Sequence, residues 1–164
     1  MLGIDCGTEY TGFGMVEQSP AGALRCVDWG AIRLSKSEPL PARLSTIFRR
    51  LSELIEKHHP DEVAIEDVFY AVNAKSALKL GQVRGVAMLS AAAAGLPVFE
   101  YAPLTIKSAV VGYGRAEKIQ VQQMVTRLLQ LETVPEPADA ADALAIAICH
   151  LHTSATLARH AAAP

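Results

Sequence analysis

The chain opens on Met1-Leu2-Gly3-Ile4-Asp5, apolar up to an acid. This pattern predicts a short buried strand running into the turn Cys6-Gly7-Thr8. Thr11–Glu17 and Leu24–Leu34 alternate apolar and polar positions, which predicts two further strands with Ser19-Pro20-Ala21-Gly22 as the turn between them. From Leu40 to His58 the apolar residues Leu44, Ile47, Phe48, Leu51, Leu54 and Ile55 recur at helical spacing, and Pro60 stops the helix. Val63-Ala64-Ile65 reads as a short strand that leads directly into Glu66. Asn73 can cap a helix that runs to about Ala94, where Gly95-Leu96-Pro97 ends it. Val98–Tyr101 predicts a strand, Pro103–Val110 a short helix, and Gly112-Tyr113-Gly114 a glycine loop. Glu117–Leu131 is amphipathic at helical period, Pro135-Glu136-Pro137 breaks the chain, and Ala138–Thr153 forms a final helix. Residues from Ser154 onward are expected to fray.

Three leading strands joined by short turns must be antiparallel. The strand–helix–strand units that follow imply parallel additions with right-handed crossovers. The expected fold is an α/β domain: a five-stranded mixed sheet with helices on both faces, spanning residues 1–153 as a single unit, with 154–164 as a tail.

Composition narrows the class. Hydrophobic residues make up 51% and charged residues 20%, a globular balance rather than a disordered one. The apolar runs Leu89–Leu96 and Ala143–Cys149 fall well short of the roughly 20 residues of a spanning helix. The first residues carry no basic start or long apolar centre of a signal peptide. Cys6, Cys26 and Cys149 are odd in number and form no CxxC pair, so a reducing cytoplasm is expected rather than a disulfide framework or zinc site. The net charge of −2 argues against nucleic-acid binding, but its distribution argues for it. Between Val68 and Leu131 seven bases (Lys75, Lys79, Arg84, Lys107, Arg115, Lys118 and Arg127) face two acids, Glu100 and Glu117. A basic middle around an acidic site suits a phosphodiester enzyme that uses metal ions, although a solvated surface would read the same way.

Four carboxylates fall at informative places. Asp5 ends the first strand, Glu66 ends the strand Val63-Ala64-Ile65, and Asp139 and Asp142 open the final helix on one face. Parallel first and fourth strands would bring Asp5 and Glu66 to one sheet edge, with the helix across it. Crowded, partly buried carboxylates repel, and a hard divalent cation with oxygen ligands removes the conflict. Two cations about 4 Å apart can activate a water and stabilise the leaving oxygen of a phosphodiester. Asp5 is the candidate bridging ligand, with Glu66 on one ion and Asp142 with Asp139 on the other. The alternatives are plain: Asp139 and Asp142 could simply complement a helix dipole, and Glu66 could be a surface acid at a strand end. Asp5, after Leu2-Gly3-Ile4, has few structural reasons to be there.

The same residues resemble those of a known family. Leu2-Gly3-Ile4-Asp5-Cys6-Gly7-Thr8 with Thr11-Gly12-Phe13-Gly14 is similar to the first motif of the RuvC Holliday-junction resolvases, and Ala64-Ile65-Glu66-Asp67-Val68-Phe69 to the second. The run from Asn73 to Ala87 resembles the long helix of that family, Val98 to Lys118 continues in register, and Ala138 to Ala147 resembles its closing motif. The resemblance implies a ribonuclease H-like fold and a homodimer that cuts four-way junction DNA. It implies Asp5, Glu66, Asp139 and Asp142 as catalytic acids holding two Mg²⁺ ions, with Mn²⁺ as the alternative. It also implies Lys107 and Lys118 near the scissile phosphate, and branch-migration proteins as partners. Cys6 departs from the usual proline of the family, and is read as a small turn filler because hard ions prefer oxygen.

Other residues acquire candidate roles. Phe69 fits either the core or an aromatic wedge stacked on an unpaired base, with Tyr70 as the substitute wedge. Lys75 and Lys79, with Gln82 on the same face, form a solvated stripe or a phosphate track. Arg115 and Lys118 flank the glycine loop and suit phosphate contacts. Ala77, Gly81 and Gly85 repeat every fourth residue, which suits close helix packing in the core or across a subunit boundary. One acidic cluster per chain and a substrate with two-fold symmetry favour a C2 dimer. His150 and His152 are read as packing or solvent-facing residues. Two rivals remain. Gly3–Thr8 also suits an actin-like or sugar-kinase phosphate turn, but such proteins need far more than 164 residues. A catalytically silent DNA scaffold would not need the full acid set.

Overall fold

A computed structural model describes residues 1–67 and 74–161, with side chains through Thr156. The strands are β1 (Leu2–Asp5), β2 (Tyr10–Gln18), β3 (Leu24–Arg33), β4 (Val63–Glu66) and β5 (Val98–Tyr101). The helices are α1 (Leu40–His58), α2 (Ala74–Ala93), α3 (Pro103–Val111), α4 (Lys118–Leu128) and α5 (Ala138–Ala161). The strands form one sheet in the order β3-β2-β1-β4-β5. The β1–β2 and β2–β3 pairs are antiparallel, and the β1–β4 and β4–β5 pairs are parallel. This is the mixed sheet expected from the element order.

Each strand alternates between two cores. Leu2, Ile4, Val63 and Ile65 are fully buried against Ile47 and Leu51 of α1 and Val83 and Ala87 of α2. Ala64 faces the other way, into a core with Ile106, Val110, Val121, Val125 and Leu144 of α3, α4 and α5. Helices therefore cover both faces, as predicted.

The second face has an unusual floor. A Cβ on Gly3 would stand 2.1 Å from the Ala143 carbonyl oxygen, and one on Gly14 2.7 Å from the Leu144 nitrogen. On Gly12 it would stand 2.0 Å from the Asp139 carbonyl oxygen. Gly3 pairs with Gly14, and Asp5 pairs with Gly12. The middle of the sheet is thus bare backbone, and α5 lies on it through its own small residues Ala140, Ala143 and Ala147, all fully buried. Only a glycine floor allows so close an approach.

Two helix ends differ from the sequence reading. α4 stops at Leu128 rather than Leu131, because Gln130 adopts a left-handed conformation with φ 52°. The chain folds back there, and the Leu131 amide bonds to the Thr126 carbonyl at 2.9 Å. α5 continues past Thr153 to Ala161. Thr153 and Ser154 turn their hydroxyls onto the Cys149 and His150 carbonyls, so these polar residues do not interrupt the helix. Among the described residues no helix is long and apolar enough to cross a membrane.

Candidate active site

The parallel register of β1 and β4 sets Ile4 beside Ile65, so Asp5 and Glu66 leave the sheet at the same end. α5 crosses that end and brings Asp142. The three carboxylates line one cavity of about 190 Å³, closed by Pro103, Ile106, Val121, Ala145 and Ile146 and carrying Lys107 and Lys118 on its wall. Asp139 does not line this cavity. Its carboxylate lies beside the β1–β2 turn, 3.8 Å from where a Gly7 Cβ would be. It is still near enough to Asp5 to act on its charge.

The electrostatics report the crowding. Burial, reinforced by Asp142, Glu66 and Asp139, pushes Asp5 up to about 7. Burial and the Asp142 charge also raise Glu66, opposed by Lys107 and Lys118. Lys118 Nζ donates to Asp142 Oδ2 at 2.6 Å. Burial alone would lower the Lys118 ammonium, but the bonded Asp142 outweighs it and holds the lysine above its ordinary value. Among the described residues no three His, Cys, Asp or Glu side chains are grouped tightly enough to enclose an ion as they stand. Asp142 is neutralised instead by Lys118. The donor set nevertheless suits a hard cation: it is all carboxylate oxygen, and among the described residues no salt bridge engages Asp5. Burial and the neighbouring Asp5 push the Cys6 thiol up to about 12, and a soft thiol is in any case a poor match for a hard cation beside carboxylate oxygens.

The other candidate residues divide. Lys79 lines an open hollow with Gly7, Thr8, Ser76 and Leu80 at the active-site end of the sheet. Lys75 and Arg115 are exposed. Phe69 and Tyr70, with Asn73, lie outside the described residues. Of its two alternatives His150 takes the packing one: it is buried, with its two ring nitrogens against Glu62 Oε2 at 2.7 Å and the Tyr101 hydroxyl at 2.9 Å. Gly81 and Gly85 open onto free space rather than the core, so the first of the two options for that stripe falls away within this chain.

Arg84 had drawn attention only for its charge. Its Nε donates to the Glu66 backbone carbonyl at 3.2 Å, while its guanidinium pairs with Glu100 and reaches Asp67 Oδ1 at 3.4 Å. One α2 side chain thus fastens the ends of β4 and β5 directly behind Glu66. Its signal in the sequence was faint, because a single arginine in a helix has no preferred reading. Arg84→Met should leave these acceptors without a partner, cost about 1–2 kcal/mol of stability, and slow any reaction at Glu66 more than it weakens substrate binding. Thermal melts and a kcat-against-KM comparison would check this; a change in KM alone would contradict it.

Acids at the ends of β1 and β4, and on a last helix packed over them, define a ribonuclease H-like architecture. A family model described as crossover junction endodeoxyribonuclease RuvC matches residues 1–150. The crossover junction endodeoxyribonuclease RuvC of Koribacter versatilis is 67% identical over 159 residues, covering 97% of this chain and 96% of that one. The corresponding protein of Acidobacterium capsulatum is 58% identical, covering 96% and 95%. The structure of Thermus thermophilus RuvC in complex with Holliday junction substrate superimposes with a TM-score of 0.86 at 32% identity, covering 94% of each chain. The chain belongs to the RuvC family.

Proposed function

We propose that Asp5, Glu66, Asp139 and Asp142 hold two divalent ions, Mg²⁺ or Mn²⁺, with which this chain cuts four-way junctions in recombination and repair. The chain is a crossover junction endodeoxyribonuclease, as its family and its near relatives are. The observation that carries the metal reading is the convergence of Asp5, Glu66 and Asp142 on one cavity with two lysines on its wall. When bound, the ions would supply a water nucleophile and stabilise the charge that develops at the phosphate. Asp5, fixed on a central strand, suits the bridging position. Lys107 and Lys118 set positive charge where a phosphate would enter, Lys118 being released from its bond to Asp142 when that carboxylate turns to an ion. Apolar walls at Ile106, Val121 and Ile146 limit water around the acids.

Beyond the cavity, Lys75, Lys79 and Arg115 supply phosphate contacts, and Phe69, with Tyr70 as substitute, the wedge. Paired symmetric cuts require two copies. The outer face of α2 supports a homodimer: Leu78 is 70% exposed, Leu89 57%, and between them Gly81 and Gly85 leave the backbone open. Association with branch-migration proteins rests on the family. Three free cysteines suit a reducing cytoplasm.

A mobile four-way junction incubated with a metal series should be cut in two symmetric strands with Mg²⁺ or Mn²⁺. It should stay intact with chelator, and a plain duplex should survive throughout. Cutting that persists in chelator, or equal cutting of the duplex, would end this reading.

A further inference from the structure

Three large apolar side chains stand open to solvent where α3 meets α4: Leu104 (63% exposed), Tyr113 (47%) and Ile119 (51%). None of the three lines the acidic cavity itself, but Pro103 and Lys118, the chain neighbours of Leu104 and Ile119, are part of its wall. The connecting loop is held down rather than left free. Gly112 turns it in a left-handed conformation with φ 98°, and a Cβ on Gly114 would stand 3.1 Å from the Leu104 carbonyl oxygen and from the Ser108 hydroxyl.

Tyr113 is fixed at its far end. Its hydroxyl donates to Gln120 Oε1 at 2.8 Å, and the same oxygen accepts the Glu117 amide at 2.8 Å in the capping box of α4. The ring is thereby pinned to a helix start while much of its surface stays exposed. A tethered aromatic ring has little freedom left to lose when something flat stacks on it. The surrounding charge selects the occupant. Exposed Arg115 follows two residues later, and Lys107 and Lys118 lie at the cavity. An apolar protein partner would have to bury these cations, whereas a nucleic-acid strand would lay its phosphates on them and its bases or sugars on the apolar surface.

We propose that Tyr113, flanked by Leu104 and Ile119, is a second stacking platform, which receives a base or deoxyribose of the strand being cut, within a few nucleotides of the scissile phosphate. It is separate from the wedge assigned to Phe69 or Tyr70, because it belongs to the α3–α4 connection and not to the segment after β4. The inference rests on the reading of the cavity as the junction-cutting site. The platform would fix the strand's register against the acids, so that the phosphate and not its neighbour enters the cavity.

Tyr113→Ala should weaken metal-free binding of a mobile junction about 5- to 20-fold and slow its cutting, with an unchanged melting temperature. Tyr113→Phe keeps the ring and loses the tether, so its defect should be smaller. A 2-aminopurine placed within two nucleotides of the cut should be quenched on binding by the native protein and by Tyr113→Phe, but not by Tyr113→Ala. If the native protein cuts junctions while Tyr113→Ala binds, cuts and quenches as it does, the platform is refuted and the catalytic reading stands. If the native protein cuts nothing, that reading itself fails. Altered self-association of Tyr113→Ala with unaltered junction affinity would assign the patch to a second copy, and would likewise refute the proposal.

Discussion

Asp5→Asn should yield a protein that folds, binds a four-way junction and does not cut it. The loss in rate should be about a thousandfold or more, equivalent to about 4 kcal/mol of activation barrier. Binding should survive because the carboxylate repels phosphate rather than holding it. The same substitution has a less obvious consequence for stability. In the folded protein Asp5 is pushed up to about 7, whereas in the unfolded chain it returns to about 3.8. Between those values the folded state carries the extra proton. Stability therefore falls as pH rises from about 4 to about 7, and the penalty is complete above that. At pH 8 it is on the order of a few kcal/mol, an upper bound for a half-buried group. An asparagine amide never ionises and escapes it. Without metal, Asp5→Asn should melt above the native protein at pH 8, and the difference should shrink toward pH 4. Added Mg²⁺ should raise the melting temperature of the native protein more than that of the variant. An Asp5→Asn protein that cuts junctions normally would remove Asp5 from the chemistry.

A methyl group on Gly12 should do more damage than its size suggests. Its carbon would stand 2.0 Å from the Asp139 carbonyl oxygen and 2.4 Å from the carbonyl carbon. Backbone lies on both sides, so no side chain can turn away to make room. α5 must lift, and Asp139 and Asp142 lift with it. Gly12→Ala should cost about 3 kcal/mol or more, at the upper end for overpacking, which corresponds to roughly 10 °C in Tm for a chain of this size. A displacement near 1 Å should slow cutting about a hundredfold in the fraction that stays folded. Melting curves and single-turnover cutting, normalised to folded protein, would measure the two effects separately. A variant with native stability would mean that α5 does not rest on this floor.

Much of this was legible in the chain. The apolar run of β1, the helical period of α1 and the Gly95-Leu96-Pro97 stop before β5 placed the ends of these elements almost to the residue. The acids at 5 and 66 stood out because each terminates an apolar run, and the β1–β4 register then had to bring them together. What escaped notice has physical causes. The end of α4 depends on a left-handed turn at Gln130, a residue with no marked preference for that conformation. The role of Arg84 depends on two strand ends remote in sequence. The glycine floor was written as Gly12-x-Gly14 opposite Gly3, with an alanine-rich helix much later. Glycines within strands read as weakness until the element that lies against them is known.

The order in which the polypeptide is made gives that floor a further meaning. Asp5 and Glu66 lie within the first 66 residues, whereas Asp139 and Asp142 arrive with α5. A growing chain holds only half of the acid set until this helix emerges and settles on bare backbone. On the proposed metal reading, hydrolytic capacity therefore awaits α5, and fragments that stop short of this helix should bind junctions without cutting them.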